Sequence, residues 1–310
     1  MRIAVTGASG LVGSALCRAL AADDHEVVRL VRRASAAPDE ARWSPQTGEI
    51  DAAALGAVDA VVHLAGENVA GGRWTAARRA RIHASRGPAT ERLCRALAAL
   101  PQPPKVMVSA SATGVYGDRG DEELSEDSAP GPAGDFLTGV ALAWEQATAP
   151  LEAAGARVVH LRIGIVLDRA GGALAKMLPP FRLGLGGKLG DGRHWMSWIS
   201  LPDLVRVVQR ALADPDLRGP VLAVAPHPVT NAEFTRALGR QLRRPTLFPV
   251  PRAALRLLFG GFADVLLGSQ RARPKRLLDA GFAFEHEDLP SALRAALADG
   301  GGPTASRQTL

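Results

Sequence analysis

Residues 5–16 read VTGASGLVGSAL, and their spacing decides the fold. The apolar run Ile3–Thr6 leads into Gly7, Gly10 and Gly13, and a helical pattern begins at Leu11. Each glycine has its own task. Gly7 permits a tight turn out of a strand, Gly10 lets backbone approach a pyrophosphate, and Gly13 brings the helix close to the strand. The amides that open the helix then face an anion. A glycine triplet alone is weak evidence, but between two strands at the start of the chain it specifies a dinucleotide site. The contacts expected on this turn are Thr6, Gly7, Ser9, Gly10, Leu11, Val12 and Gly13.

The end of the second strand selects the cofactor. A carboxylate there would bind the ribose hydroxyls of NAD. The chain instead reads VVRLVRR (27–33), with no carboxylate from Val27 to Pro38. Arg32 and Arg33 are therefore expected to hold a 2′-phosphate through charge-assisted hydrogen bonds. NADP(H) is the expected cofactor.

Strand and helix patterns alternate through the first half. Ile3–Thr6, Glu26–Val31, Ala57–Leu64, Lys105–Ser111 and Arg157–Leu167 read as extended. Leu11–Ala21, Thr75–Leu100 and Asp135–Ala154 read as helical. Asp23-Asp24-His25 supplies the turn into the second strand, with Asp tolerating a left-handed backbone. This is the pattern of an α/β fold with a doubly wound parallel sheet. After Leu167 the rhythm changes to glycine- and proline-rich loops, GLGGKLGDG (184–192) among them. Asp203–Ala213 reads as a helix, Asn231–Leu242 as another capped by Asn231, and Leu247–Pro251 as a short strand. The expected organisation is a Rossmann domain over 1–170 and 196–215, a smaller substrate lobe over 171–195 and 216–298, and a disordered tail over 299–310.

Bulk properties narrow the function. With 47% hydrophobic and 22% charged residues the chain is an ordinary globular protein, with no apolar run long enough to span a bilayer. The strand begins almost at Met1, which leaves no room for a signal peptide. The two cysteines, Cys17 and Cys94, share no metal or redox spacing, and the scattered histidines suggest no zinc site, so no metal is expected and a cytoplasmic location is. The net charge of +6 concentrates between Arg236 and Arg276, where Asp264 is the single acid. That stretch reads as a solvated basic surface rather than a nucleic-acid site. The partner expected is a small molecule, and nothing fixes the oligomeric state.

TGASGLVG (6–13), DAVVHLAGENV (59–69) and SASATGVYGD (109–118) together resemble the extended and atypical short-chain dehydrogenase/reductase superfamily. The likeness is closer to a sugar-nucleotide-epimerase-like branch. Its marks here are Gly72-Arg73-Trp74, FLTGVALAWE (136–145), RIGIVLDRAGGALAKMLPPFRLGLGGKLGDGRHWMSWI (162–199) and GSQRARPKRLLDAGFAF (268–284). The resemblance spans residues 1–298. It implies an extended-type Rossmann fold with cofactor contacts at His63, Leu64, Ala65, Gly66, Glu67, Ser109 and Arg162.

The same resemblance implies catalysis by a Tyr-x-x-x-Lys pair, and this chain has none. Its one tyrosine, Tyr116, is followed four residues later by Gly120. Aligning Glu145 with the Glu that follows the pair in many extended members puts Leu137 and Ala141 in the Tyr and Lys slots. Arg86 falls near the slot of a relay Asn. Ser111 matches the catalytic Ser, Glu67 is a second candidate acid or base, and Tyr116 is read as a pocket wall that retains a proton to donate. Asn68, Lys176, Arg182 and Trp195 are candidate substrate contacts, and His194 and Ser200 depart from the branch. The readings left open are an NADP(H)-dependent oxidoreductase of a small polar metabolite, an epimerase-type enzyme on a sugar nucleotide, and a non-catalytic NADP(H)-binding protein.

Overall fold

The computed structural model describes residues 1–298; the tail expected over 299–310 lies outside them. Seven strands form one sheet: β1 (Arg2–Thr6), β2 (Glu26–Val31), β3 (Glu40–Arg42), β4 (Ala60–His63), β5 (Val106–Ala112), then Arg157–Ile163 and Gly219–Ala223. Their spatial order is Gly219–Ala223, Arg157–Ile163, β5, β4, β1, β2, β3, and every neighbouring pair is parallel. The chain moves outward from β1 to β3, then crosses back to lay β4 on the other flank of β1. A crevice opens at that reversal, beyond the carboxyl ends of β1 and β4.

The helices that flank the early strands are α1 (Leu11–Ala22), the short α2 (Ala52–Leu55), α3 (Ala76–Ala84), α4 (Gly87–Ala98) and α5 (Phe136–Gln146). Side-chain alternation along β1 supplies both sheet faces. Ile3 and Val5 join a core with Leu16 and Leu20 of α1 and Val207 and Val208 of the Leu201–Ala213 helix. Ala4 points the other way, into a core with Leu93 and Leu97 of α4 and Met107 of β5. A third core, with Leu174, Trp198, Phe234 and Leu293, belongs to the later part of the chain.

The differences from expectation have local causes. Thr75–Leu100 is two helices, because Pro88 has no N–H for the carbonyl of Ala84 and its ring would strike it; Arg86 takes φ −110° and ψ −83° at the break. Pro150 ends α5 at Gln146 in the same way, and a separate short helix covers Ala149–Ala153. Gly164 divides Arg157–Leu167: a Cβ there would lie 2.6 Å from the Ser197 carbonyl oxygen, and Ile165–Leu167 leaves the sheet to pair with Trp198–Ser200. Thr230, not Asn231, caps the Asn231–Leu242 helix, in a reciprocal box with Glu233. Asn231 is buried and accepts the Leu189 amide at 2.8 Å. Leu247–Pro251 forms no strand beyond a single bridge from Val250 to Leu189. Gly219–Ala223, expected in the smaller lobe, is the sheet's edge strand, and Leu277 and Phe284 also pack into the main core. Asp24 does take the left-handed backbone, at φ 58°.

Candidate functional site

The glycine turn leaves no space for side chains. Gly7 has φ 68°, and a Cβ on it would lie 2.9 Å from the Leu64 carbonyl carbon. A Cβ on Gly13 would sit 2.2 Å from the Gly7 oxygen, so α1 reaches β1 only because residue 13 has no side chain. Gly10 caps α1 without a side-chain hydrogen bond, and no acid occupies the first turn. Ser9 and Gly10 are exposed, and Leu11 and Val12 half-buried. The first amides of the helix thus remain free for an anion.

Thr6 ties this turn to β4. Its hydroxyl accepts the amides of Leu64 at 3.1 Å and Ala65 at 3.2 Å, so its own proton goes to His63 Nδ1 at 2.7 Å. That assigns the other ring proton to Nε2, which donates to Thr90 Oγ1 at 2.9 Å. Burial pushes the His63 pKa down to about 4, with Arg86 adding to the effect, and the ring stays neutral. His63 and Thr6 are therefore braces beneath the crevice.

Arg32 and Arg33 part company. Arg33 donates to both oxygens of Glu40, at 2.8 and 2.6 Å, so an acid beyond the scanned strand end has claimed it. Among the described residues Arg32 has no hydrogen-bond or ion-pair partner, and it is exposed.

A second constellation joins β5, α5 and the Arg157–Ile163 strand. Ser111 donates to Glu145 Oε1 at 2.7 Å. Arg162 grips the same carboxylate with Nε at 2.9 Å and Nη2 at 3.0 Å, and donates Nη1 to the Tyr116 hydroxyl at 2.8 Å. Tyr116 passes its proton to the Ser125 carbonyl at 2.8 Å. Burial alone would raise Glu145, but the Arg162 guanidinium outweighs it and holds the carboxyl below its ordinary range. The parallel register sets Ser111 opposite Arg162, and Glu145 reaches both from one turn beyond Ala141.

This network corrects two expectations. Tyr116 is fully buried, so it is a member of the core and not a pocket wall; burial raises its pKa although Arg162 pulls the other way. Arg162 is bound to Glu145 and Tyr116 and is not free for a cofactor. Ser109 and Ser111 are likewise buried in β5, at 1% and 3% exposed. Glu145 was legible only as an alignment mark, and the signal for its role was the apolar pair Leu137 and Ala141 preceding it.

The loop after His63 lies across the crevice, with Gly66 exposed and Glu67 half-buried. The Glu67 amide bonds Ser85 Oγ at 3.0 Å, and its carboxylate lies 3.8 Å from Arg78. Arg86 donates to the Glu67 carbonyl at 3.1 Å while its guanidinium stacks 4.8 Å from the Trp144 ring; burial lowers its pKa to about 10.

Of the expected substrate contacts only Asn68 and Lys176 meet, both on Ala70. Asn68 closes a turn onto the Ala70 amide at 2.9 Å, and Lys176 donates to the Ala70 carbonyl, clamping this loop to the Gly172–Arg182 helix. Arg182 is exposed at that helix's end. Trp195 donates to Asp121 at 2.8 Å beneath Arg271, whose guanidinium lies 4.6 Å from the indole centroid. His194 is 8% exposed, and neither ring nitrogen has a partner among the described residues.

A cleft of about 470 Å³ opens instead beyond β5, bordered by Trp74, Arg79, Gly114, Phe136, Arg252 and Gln270 among others. Gln270 accepts from Thr113 Oγ1 at 3.0 Å and donates to the Gly117 carbonyl at 3.1 Å, fastening the C-terminal region to the serine-bearing turn. No site role was expected of Arg79, of Arg252 in the basic stretch, or of Gln270 in GSQRARPKRLLDAGFAF (268–284). Nothing local marks them.

Residues 3–225 match the NAD dependent epimerase/dehydratase family. The chain belongs to that family. Residues 250–296 match a domain of unknown function, DUF1731, which places Arg252 in the family member's C-terminal extension. An epimerase family protein of Mycobacterium bovis, Mb2239, is 48% identical over 292 residues, covering 94% of this chain and 96% of the relative. The crystal structure of the human epimerase family protein SDR39U1 with NADPH superposes with a TM-score of 0.87 at 36% identity, covering 95% of this chain and 98% of that one. A nucleoside-diphosphate sugar epimerase from Corynebacterium glutamicum superposes at 0.77 with 37% identity, across 94% of this chain and 57% of that one. These likenesses make this family member an epimerase-like short-chain dehydrogenase/reductase of the atypical kind.

Among the described residues no helix is long and apolar enough to cross a membrane, and no group of three or more His, Cys, Asp or Glu side chains could hold a metal ion.

Proposed function

We propose that this protein binds NADP(H) and oxidises or reduces a small polar molecule, with Ser111 backed by Glu145 where the superfamily uses its Tyr and Lys. The cofactor reading is carried by the glycine cradle, which a Cβ at Gly7 or Gly13 would fill, together with Arg32 after β2, which has no partner among the described residues. The human relative whose structure contains NADPH supports it. The opening amides of α1 at Leu11 and Val12 would hold the pyrophosphate, and Arg32 the 2′-phosphate. When bound, the nicotinamide supplies a donor or acceptor of hydride.

The chain's own part is the proton. Ser111 directs its hydroxyl hydrogen at Glu145, so its lone pairs are left to accept an O–H from a substrate alcohol. Arg162 holds the Glu145 carboxylate in place and ionised at neutral pH, so that as Ser111 takes that proton it releases its own to Glu145 Oε1. Tyr116 holds Arg162 from the far side and touches no substrate.

The test is a titration with each cofactor. NADPH is expected to bind about 10- to 100-fold more tightly than NADH, the size of a charge-assisted contact. Arg32→Glu should remove that preference, whereas Arg33→Glu acts mainly on the Glu40 pairing. Equal affinities in the unaltered protein would refute the NADP(H) assignment. Once a substrate is in hand, Ser111→Ala and Glu145→Gln should each lower kcat about 10²- to 10⁴-fold with NADPH affinity retained. Unchanged kcat in both would refute the role of Ser111 and Glu145 and put the proton transfer on another group.

A further inference from the structure

The cleft beyond β5 carries two kinds of charge, and they differ in what they already hold. Its acids are in use. Asp135 accepts the Thr138 amide at 2.8 Å as the cap of α5, and Asp118 accepts the amides of Gly120 and Ser269, each at 3.2 Å. Arg256 is paired with Asp264 at 3.2 Å. Arg79 and Arg252 are different: among the described residues neither guanidinium has a hydrogen bond or an ion pair.

Arg79 is nevertheless held in position. Its guanidinium carbon lies 5.6 Å from the Trp74 ring centroid and 5.4 Å from that of Phe136. A Cβ at Gly261 would come within 2.6 Å of its Nη2, so the C-terminal extension presents bare backbone at the point where the guanidinium passes. The rings hold the guanidinium plane without using its hydrogen-bond donors. Arg252 approaches from the extension, at the head of the Arg252–Phe259 helix. Apolar side chains, Phe136, Leu137 and Val265, line the remainder of the cleft.

We infer that Arg79 and Arg252 together bind the anionic group of an organic substrate, a carboxylate or a phosphate ester, whose apolar or planar body lies along Phe136, Leu137 and Val265. An unsatisfied guanidinium from each of two elements, Arg79 held by its rings and Arg252 exposed at the head of its helix, matches the acceptor oxygens of either anion. Gly114 borders the cleft three residues past Ser111, so a molecule anchored there lies beside the proposed reacting end. This substrate role rests on the reading of Ser111 given above; the anion site itself does not.

The experiment is a calorimetric titration of the full chain with phenyl phosphate, benzoate and inorganic phosphate, and separately with NADPH. Phenyl phosphate or benzoate should bind more tightly than inorganic phosphate, and whichever is tighter identifies the anion class. Arg79→Gln and Arg252→Gln should each weaken that probe about tenfold or more, with NADPH affinity unchanged. Arg252→Gln lies on an exposed helix and keeps the test valid if Arg79→Gln fails to fold. The inference falls if no probe binds, if inorganic phosphate binds as tightly as phenyl phosphate, or if Arg252→Gln binds as the unaltered protein does. Probe binding without NADPH binding would sink the cofactor reading and leave the anion site standing.

Discussion

The β1–β4 side of the crevice and the β5–α5 side are built by opposite means. On the first, the backbone shapes the site: Gly7, Gly10 and Gly13 leave the turn without side chains, and Thr6 and His63 brace it from below. On the second, side chains from separate strands and a helix converge, with Ser111, Glu145, Arg162 and Tyr116 in one buried chain of hydrogen bonds. A backbone site tolerates few substitutions at a few consecutive positions. A side-chain site can lose its Tyr and Lys and be rebuilt, provided every buried charge keeps a partner.

The contrast breaks most readily at Arg162. Arg162→Met leaves Glu145 buried without its cation, and removing one member of such a pair costs about 3–5 kcal/mol. Urea unfolding should show that loss, and Arg162→Met combined with Glu145→Leu should recover part of it. Equal losses in the single and double variants would mean that the pair is not the unit holding the Arg157–Ile163 strand to α5.

The backbone side is expected to yield slightly less. Gly13→Ala puts a methyl 2.2 Å from the Gly7 oxygen, so α1 must move away from β1. Overpacking of this kind costs roughly 1–3 kcal/mol, and the displaced helix should lose NADPH binding altogether. Gly120→Ala is a control: nothing lies within 4 Å of its Cβ position, so its strain is confined to the positive φ of 57°. If Gly13→Ala bound NADPH normally, the close approach of helix to strand would have no part in the site.

The third effect sharpens the comparison through pH. Unfolded His63 takes up a proton near pH 6.5, whereas folded His63 does so only near 4 because burial disfavours the charge. Between those values the unfolded chain binds more protons, so stability falls as pH drops through that window. The full span is worth about 3 kcal/mol for a wholly buried ring, and the part seen by pH 5 is smaller. Glu145 acts lower: its stabilisation is present above the ordinary carboxylate range and is lost as pH falls through its depressed value. Ring-proton NMR should show His63 untitrated from pH 7 to 5, and His63→Gln should flatten the upper part of the stability profile. Titration of His63 near 6.5 in the folded protein would show that the brace is open to water.

The sequence read alone was clearest where the physics is local. The glycine spacing specified the turn, and the alternation of extended and helical patterns specified β1, β2, β4, β5 and the parallel sheet they form. Where it failed, the missing knowledge was non-local or a single overlooked residue. Pro88 and Pro150 were in plain view as breaks in two expected helices. Glu40 lies seven residues from Arg33, beyond the strand end, and only the β2–β3 pairing brings it back.

By itself, then, the sequence determined the Rossmann architecture, the dinucleotide turn and the absence of a Tyr-x-x-x-Lys pair, because each depends on residues adjacent or regularly spaced along the chain. Only the tertiary structure decided that Ser111 meets Glu145 and Arg162, that Arg33 but not Arg32 is paired among the described residues, and that Tyr116 is core. Those facts depend on side chains such as Ser111 and Glu145, 34 residues apart, or Thr113 and Gln270, 157 apart. Their meeting is set by strand order and burial, and burial makes each unpaired charge or donor costly enough to dictate its partner.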